Sequence, residues 1–360
     1  MQPKGAAKRK SLTSIRVCAL ACVGLLAPPA AALSLASTPA AASTPGLVQG
    51  AIPNQTDDTP PYLQSLFGTP TDTTPTLGTD YLPSGSGWNG MDGLKGSLSY
   101  LAAWAKGGDQ VALGVPIIPT SLGVAVGTLQ GGATGAYNSY FTQLAKTLVA
   151  EGLGTADLRL GWEFDNNAYA WKAQNATAEG YFAAYFRNIV TTMRAVTGAH
   201  FKYVWDPDAY AFDRGLEDPV HPGYVVADAW PGSAYVDYIG LDLYDEAPAS
   251  GYTPTKEWAW ILPQLTSTQP GALGAQPFAS QYGVPLAFCE WGVAAPELYV
   301  YGLGDDPLYI NNMYSFMTAS TNDVAWESYF NISELGWNSQ ITGGSFPKSL
   351  AAFKADFGNG

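Results

Sequence analysis

Residues 156–206 read ADLRLGWEFDNNAYAWKAQNATAEGYFAAYFRNIVTTMRAVTGAHFKYVWD, and the repeating unit of the fold can be inferred from them. An apolar run ends on Glu163 and a polar, aromatic loop follows. A longer segment then repeats its apolar residues with the 3.6-residue period of a helix until Gly198. The apolar residues of that segment are Tyr181, Phe182, Tyr185, Phe186, Ile189, Val190 and Met193. A second apolar run, Phe201–Asp206, comes next. The stretch therefore predicts a strand, a helix and a strand, the repeating unit of a parallel sheet.

The same alternation continues on both sides of this stretch. Strands are predicted at Val111–Ile118, Ala156–Glu163, Phe201–Asp206, Val236–Leu243, Val284–Glu290 and Val324–Phe330. Apolar strands separated by amphipathic helices indicate a parallel sheet covered on its outside, which is either an open doubly wound sheet or a closed barrel. Six units with room for two more upstream favour a single α/β domain with a (β/α)8 TIM barrel, which needs roughly 250 residues. The candidates for the two upstream strands are Tyr62–Phe67 and Tyr81–Trp88.

The N-terminal region has the pattern of an export signal. Basic residues between Lys4 and Arg16 precede a short apolar run from Val17 to Ala27, and small residues around 30–42 offer cleavage sites. This run is too short for a membrane span, and no later segment is long enough for one. We predict a signal and processing region over residues 1–43, a Pro-, Thr- and Ser-rich lead over 44–79, and the barrel domain over 80–360. The protein is therefore expected to be secreted, either to the extracellular space or to the periplasm.

Charge and composition limit the classes of molecule that this protein is expected to bind. The first 43 residues hold five Lys and Arg and no acidic residue, so the rest of the chain has 12 basic and 30 acidic residues, a formal charge of −18. That balance disfavours nucleic acid and anionic membranes and suits an uncharged polymer. No glycine-rich phosphate loop follows an early strand, and we expect no cofactor. Only Cys289 remains once the signal is removed, which excludes a disulfide framework. We expect a monomer.

Two of the predicted strands end on a glutamate beside an aromatic residue. Trp162-Glu163 closes the fourth barrel strand and Glu290-Trp291 closes the seventh. Strand ends form the mouth of such a barrel, and the fourth and seventh strands face each other across it. Two carboxyl groups in this arrangement suit a glycosidic bond, because one can protonate the leaving oxygen while the other attacks or activates water. A carboxyl separation of about 5–5.5 Å favours retention, and one of roughly 6.5–9.5 Å favours inversion.

The segment around Glu163 resembles the strand-four signature of the family 26 glycoside hydrolases, Arg-x-x-His-Glu-x-Asn-Gly-x-Trp-x-x-Trp. Arg159, Glu163 and Trp171 stand at its arginine, its catalytic acid/base and its final tryptophan. Cys-Glu-Trp-Gly is similar to the strand-seven motif, so the resemblance makes Glu290 the nucleophile. The segment Asp-Tyr-Ile-Gly-Leu-Asp-Leu-Tyr-Asp is similar to strand six, where the resemblance gives Tyr244 a hydrogen bond to the nucleophile. The resemblance runs from about residue 101 to residue 357.

The chain departs from the strand-four signature in its middle. Trp162 stands in place of the histidine, Asp165 and Asn166 replace the Asn-Gly pair, and Ala168 replaces the first loop tryptophan. Because the histidine helps to hold the site in β-mannanases, its loss bears on specificity for mannan more than on hydrolysis.

Several polar and aromatic residues near the strand ends are candidate contacts with sugar. They are Tyr244, Arg159, Trp162, Asp165, Trp171, Trp205, Trp291 and Trp337. Aromatic rings pack on the C–H faces of sugars, and Trp171 and Trp291 are the favoured examples, with core packing as the alternative. Arg159 is either such a contact or a buried partner of a catalytic carboxylate.

Two other features near the strand ends are interpreted as structural. Asp206, Asp208 and Asp242 lack a metal-ligand spacing, so no metal site is predicted. Cys289 precedes Glu290, and the alternation of side chains along a strand predicts that it points to the opposite face.

The resemblance implies an endo-acting, retaining hydrolase of a β-linked polysaccharide, with β-1,4-mannan as the first substrate to test. Two alternatives stay open. One is a related hydrolase that cleaves xylan, glucan or a cell-envelope or exopolysaccharide glycan. The other is a barrel that binds a glycan without cutting it.

Overall fold

Eight parallel strands close into a barrel in the computed structural model, which describes residues 47–52, 76–92, 99–212, 225–297, 300–334 and 336–357. The strands are β1 (Val48–Ile52), β2 (Leu77–Tyr81), β3 (Gln110–Val115), β4 (Asp157–Leu160), β5 (Lys202–Trp205), β6 (Tyr238–Asp245), β7 (Leu286–Val293) and β8 (Val324–Phe330). Each strand pairs with its neighbours in the chain, and β8 pairs with β1 to close the ring. The predicted (β/α)8 barrel is confirmed.

The first two strands differ from the prediction. β1 and most of β2 lie before residue 80, so the barrel begins inside the segment that we predicted as a lead. The candidate Tyr62–Phe67 lies outside the described residues, and of Tyr81–Trp88 only Tyr81 belongs to a strand. Both strands are short and contain glycine, which gives them a weak strand pattern. Their pairing with β8 and β3 is a long-range feature that local sequence does not reveal.

Helices surround the barrel. They are α1 (Gly87–Asp92), α2 (Ser99–Gly107), α3 (Leu129–Ala133), α4 (Asn138–Ala150), α5 (Ala176–Arg194), α6 (Pro254–Thr266), α7 (Ala275–Tyr282), α8 (Pro307–Thr318) and α9 (Pro347–Asp356). The apolar face predicted around Tyr181 is the buried face of α5, and the Asn175 side chain caps that helix by accepting a hydrogen bond from Ala178 N at 3.0 Å. None of the helices in these ranges is long and apolar enough to cross a bilayer.

The core has two parts. The larger part fills the layer between the outer faces of the strands and the helices, and the smaller part fills the inside of the barrel. The inner part consists of Leu77, Ala112, Val204, Tyr238, Ala287, Cys289 and Trp326. Short hairpins extend the loops that follow β3, β7 and β8, at Thr120–Ala125, Pro296–Tyr301 and Ser333–Asn338. The scaffold thus holds the strand ends rigidly and places loops around the mouth.

Three acidic side chains lie buried together below the loops. They are Asp245 at the end of β6, Glu257 in the first turn of α6, and Asp306, which caps α8. Both carboxylate oxygens of Asp245 and Glu257, and Oδ2 of Asp306, have no hydrogen-bond partner among the described residues. Burial and mutual repulsion raise the pKa of Asp245 to about 9 and that of Glu257 to about 8. Asp245 and Glu257 are therefore protonated at neutral pH.

This cluster predicts that the fold loses stability as the pH rises. Between the ordinary carboxyl pKa near 4 and the raised values, the folded chain keeps protons that the unfolded chain releases, at about 1.4 kcal/mol per proton and pH unit. We expect Glu257→Gln to flatten the decline of the unfolding free energy between pH 5 and pH 8, as measured by urea denaturation. The exposed Glu334→Gln serves as control. If the unfolding free energy of Glu257→Gln fell with pH as steeply as that of wild type, the prediction would be contradicted.

Candidate active site

Arg159 lies at the centre of the barrel mouth with its side chain fully buried. Its Nε donates to Asp206 Oδ2 at 2.6 Å, and its Nη2 donates to Asp242 Oδ2 at 2.8 Å and to Glu290 Oε1 at 2.7 Å. Its Nη1 donates to the hydroxyl oxygen of Tyr81 at 3.0 Å. One planar guanidinium thus joins the ends of β2, β4, β5, β6 and β7. Since the arginine is not exposed, it is a partner of carboxylates here and not the sugar contact that we also considered.

Glu290 receives hydrogen bonds on both carboxylate oxygens. Oε1 accepts from Arg159 and from the Tyr81 hydroxyl, and Oε2 accepts from the Tyr244 hydroxyl at 2.7 Å. Burial alone would raise the pKa of Glu290, but the Arg159 charge and these donors outweigh it and lower the pKa. Glu290 is therefore ionised, and its orientation is fixed by three donors.

A bulge in β7 sets the direction of this side chain. The register of β7 against β6 shifts between Phe288 and Glu290, so that Cys289 is an extra residue in the strand. Cys289 faces the barrel interior, where its sulfur lies within 4.8 Å of a carboxylate oxygen of Asp206. Our prediction that Cys289 points away from the side of Glu290 is therefore wrong, because the strict alternation of side chains stops at the bulge.

Glu163 lies on a turn three residues beyond the end of β4. The backbone φ is +62° at Gly161 and +44° at Glu163, in the left-handed region that glycine adopts freely and other residues seldom do. The Glu163 N–H donates to the carbonyl oxygen of Asp206 at 2.7 Å, which ties the turn to the end of β5. Because β4 ends at Leu160, the predicted strand end at Glu163 is wrong, and a strained turn orients this carboxylate.

The electrostatic surroundings of Glu163 are opposite to those of Glu290. Burial raises the pKa of Glu163 well above its usual range, and the negative charges of Glu290, Asp208 and Asp165 raise it further. The Asn166 side-chain amide donates to Glu163 Oε2 at 3.2 Å, which an uncharged carboxyl oxygen also accepts. Glu163 is therefore protonated at a pH where Glu290 is ionised.

Some of the predicted aromatic residues lie beside these carboxylates. Trp162 packs against Tyr81, with ring centroids 5.1 Å apart, and against Trp171 at 4.6 Å. Trp171 donates its indole N–H to the Trp162 carbonyl oxygen at 2.8 Å, so it supports the Glu163 turn from behind. Trp337 is half-buried and its ring meets Tyr244 edge-on at 4.6 Å.

The side chains of Trp205 and Trp291 do not line the mouth, contrary to our prediction. Both are fully buried in the layer between strands and helices. Trp205 packs on Phe278 of α7, and Trp291 packs on Phe353 of α9. The reason is geometric: each follows or precedes an inward-facing carboxylate by one residue and so points outward. Asp165 is also buried, and its Oδ1 accepts a hydrogen bond from Asp208 N at 3.0 Å.

Tyr81, Asp206 and Asp242 belong to the site although we did not predict them as site residues. Asp242 lies two residues before Tyr244 on the same strand, which is a signal that both face inward. A buried arginine on β4 also requires carboxylate partners. Tyr81 had no such signal, because we placed it at the start of the predicted strand Tyr81–Trp88, whereas it is the last residue of β2.

The two aspartates of the barrel mouth, Asp206 and Asp242, lie beside the positive charge of Arg159. Among the described residues, only Asp206, Asp242 and Cys289 form a group whose potential metal-ligand atoms all lie within 4.8 Å of one another. Arg159 contacts both of these aspartates. Burial raises the pKa of Asp206 to about 6 and that of Asp242 well above its usual range, although Arg159 opposes both shifts.

Comparison with known proteins finds this architecture in solved structures. No family model matches the chain, and no curated protein matches it in sequence. A mannanase from Bacillus subtilis aligns with a TM-score of 0.56 and 15% identity over 86% of this chain and 85% of that chain. The catalytic domain of a family 26 endo-β-1,4-mannanase from Bacillus sp. JAMB-750 aligns with a TM-score of 0.57 and 16% identity over 86% of each chain. A Cellulomonas fimi endo-β-1,4-mannanase aligns at 0.59 and 16% over 87% of this chain and 71% of that chain.

The chain has the fold of these enzymes. The likeness covers 86% of this chain, and the shared architecture is a closed eight-stranded barrel. At this level of identity the likeness shows the fold alone. The chemistry has to be inferred from the residues of this chain.

Arg159 is predicted to be essential for stability. Replacing it with methionine would leave three buried carboxylates without their counter-charge, and we expect a loss of about 3–5 kcal/mol in the free energy of unfolding. Guanidinium denaturation would measure it. The matched control is Arg194→Met, whose ion pair with Asp237 is 3.7 Å long and partly exposed, and which should cost no more than about 1 kcal/mol. Similar losses for both variants would contradict this account.

Proposed function

We propose that this protein is a secreted, family 26-like glycoside hydrolase that cleaves a β-linked polysaccharide with retention of configuration. The supporting observation is that two carboxyl groups at one barrel mouth have opposite surroundings: burial and neighbouring negative charges raise the pKa of Glu163, while Arg159 and two tyrosine hydroxyls lower that of Glu290. Pairs of carboxyl groups whose surroundings push their pKa values apart are suited to acid and nucleophile roles. The export signal predicted over residues 1–43 fits a polymeric substrate outside the cell.

In the proposed mechanism Glu163 and Glu290 act together in each of two steps. Glu163 donates its proton to the glycosidic oxygen while an oxygen of Glu290 forms a bond to the anomeric carbon, and the glycosidic C–O bond breaks. Glu163, now ionised, takes a proton from water, and the water oxygen attacks the anomeric carbon as the bond to Glu290 breaks. The donors around Glu290 favour its ionised form before the first step and after the second.

The first substrate to test is β-1,4-mannan, because the similar structures include endo-β-1,4-mannanases. Trp162 in place of the signature histidine and Ala168 in place of a loop tryptophan are the reasons to include xylan, glucan and cell-envelope glycans in the same panel. We propose Tyr244, Trp162 and Trp337 as the side chains nearest to bound sugar, with Trp171 behind them.

The assignment predicts that each carboxyl group is indispensable. We expect Glu163→Gln to lower kcat by about 10²–10⁴-fold, the usual contribution of a general acid, and Glu290→Ala to lower it by orders of magnitude. Release of reducing ends from the panel measures activity, and NMR of the first product anomer tests retention. The exposed Glu334→Gln is the control, and the melting temperature of each variant checks folding. Glycan binding by wild type with no reducing ends released, or near-normal turnover in either variant, would reject the assignment.

The pH profile tests which carboxyl group is the acid. Activity should fall at high pH as Glu163 loses its proton, and fall at low pH as Glu290 gains one. The charge of Asp208 raises the pKa of Glu163, so we expect Asp208→Asn to move the alkaline limb of kcat/KM to lower pH. The amide oxygen of asparagine can still accept the hydrogen bond from Tyr210 N, so the loop is retained. The acid limb should not move, and an unchanged alkaline limb would argue against Glu163 as the acid.

A further inference from the structure

The two oxygens of Glu290 have different surroundings. Oε1 accepts two hydrogen bonds, from Arg159 Nη2 at 2.7 Å and from the Tyr81 hydroxyl. Oε2 accepts one, from the Tyr244 hydroxyl at 2.7 Å. Each carboxylate oxygen offers about two lone-pair positions, so both positions of Oε1 are occupied and one position of Oε2 is open. An attacking oxygen needs an open lone pair.

The direction of the Tyr81 hydrogen follows from its neighbours. Arg159 Nη1 has no lone pair to offer, so at 3.0 Å it donates to the Tyr81 oxygen. The single hydroxyl hydrogen of Tyr81 is then free for Glu290, whose ionised carboxylate can only accept. Burial and the charge of Glu290 raise the pKa of Tyr81, so the hydroxyl keeps this hydrogen across the working pH range.

The Tyr81 ring is held on two sides. Tyr81 pairs with Gly114 on the adjacent strand β3, where an added methyl group would overlap ring carbon Cδ1 of Tyr81 and lie 3.3 Å from Trp162 Cε3. Trp162 packs on the ring with centroids 5.1 Å apart and planes at 56°. The absence of a side chain at Gly114 therefore leaves the space that both rings occupy.

We propose that Tyr81 is a positioning residue for Glu290: it holds Oε1 together with Arg159, so that Oε2 is the attacking oxygen, and Trp162 and Gly114 fix Tyr81 in that position. This inference rests on the proposed function and deepens it. It also assigns a role to Trp162, which departs from the family 26 signature: its ring keeps Tyr81 in place beside Glu290.

The chemical consequence differs between the two steps of the reaction. In the first step Oε2 bonds to the anomeric carbon, the leaving oxygen takes the Glu163 proton, and Oε1 becomes the carbonyl oxygen of an uncharged ester. In the second step the C–Oε2 bond breaks and its electron pair returns the negative charge to the carboxylate. A donor on Oε1 stabilises the charged carboxylate more than the ester. Tyr81 therefore assists mainly the second step, in which Glu290 is the leaving group.

The test compares Tyr81→Phe, which keeps the ring and removes only the hydroxyl, with wild type on a dinitrophenyl β-mannobioside. Hydrogen bonds to charged groups have energies that correspond to about 10- to 100-fold in rate, so we expect kcat to fall by that factor and kcat/KM to fall less. The glycosyl-enzyme should accumulate and appear as a mass increase of the intact protein. The acid limb of kcat/KM should move to higher pH.

A matched control is Tyr203→Phe, which removes another buried hydroxyl, one that has no hydrogen-bond partner among the described residues. It should leave kcat and the pH profile unchanged. Gly114→Ala should reproduce the kinetic pattern of Tyr81→Phe although the hydroxyl is present. Equal losses in kcat and kcat/KM with an unchanged acid limb, or wild-type kinetics in Tyr81→Phe, would overturn the proposal.

A substrate-free measurement separates this inference from the proposed function. Titration of 13C-labelled glutamate carboxyls by NMR, with the Glu290 signal assigned from Glu290→Gln, should give a higher pKa for Glu290 in Tyr81→Phe than in wild type. An inactive wild type with this shift would reject the hydrolase and retain the hydrogen bond. An unchanged pKa of Glu290 in an active enzyme would reject the role of Tyr81.

Discussion

One buried guanidinium organises the mouth of this barrel. Arg159 contacts Asp206, Asp242 and Glu290, which come from three successive strands, and a single positive charge cannot neutralise all three. Its effect is therefore unequal. The two aspartates keep raised pKa values, while Glu290, which also receives two tyrosine hydroxyls, has a lowered one. The arginine and its neighbours thereby lower the pKa of one of the three carboxyl groups, that of Glu290.

The negative charge of Glu290 also affects Glu163, on the opposite side of the mouth. Burial raises the pKa of Glu163 most, and the charges that act most strongly on it are negative, with Glu290 the first of them. The same charge that makes Glu290 suitable for attack therefore keeps a proton on Glu163. The two roles depend on each other, because protonation of Glu290 would remove part of the cause that holds the proton on Glu163. The Glu163 turn, with its left-handed backbone, fixes the geometry between them.

The sequence predicted the barrel because six of its strands are apolar runs bounded by amphipathic helices, a local pattern. It also placed Glu163 and Glu290 near the barrel mouth, because each follows an apolar run, although β4 ends at Leu160 and β7 continues to Val293. Some of the wrong predictions depended on three-dimensional information, whereas those for Trp205 and Trp291 neglected the alternation of side chains along a strand. A bulge at Cys289 reverses the alternation of side chains, and strict alternation places Trp205 and Trp291 outside the barrel. Tyr81 could not be recognised because β2 is identified by its pairing with β1 and β3.

Trp162 connects the departure from the family 26 signature to the chemistry of the site. A histidine at this position can exchange hydrogen bonds with a carboxylate or with sugar, whereas the tryptophan side chain has a single N–H donor and a large apolar surface. Here that surface packs on Tyr81, Tyr169 and Trp171, so the ring acts by packing against a tyrosine that donates to Glu290. Packing on the Tyr81 ring restricts its rotation and so keeps its hydroxyl directed at Glu290. In the proposed arrangement Trp162 therefore acts through packing, and Gly114 leaves the space that its ring and Tyr81 occupy.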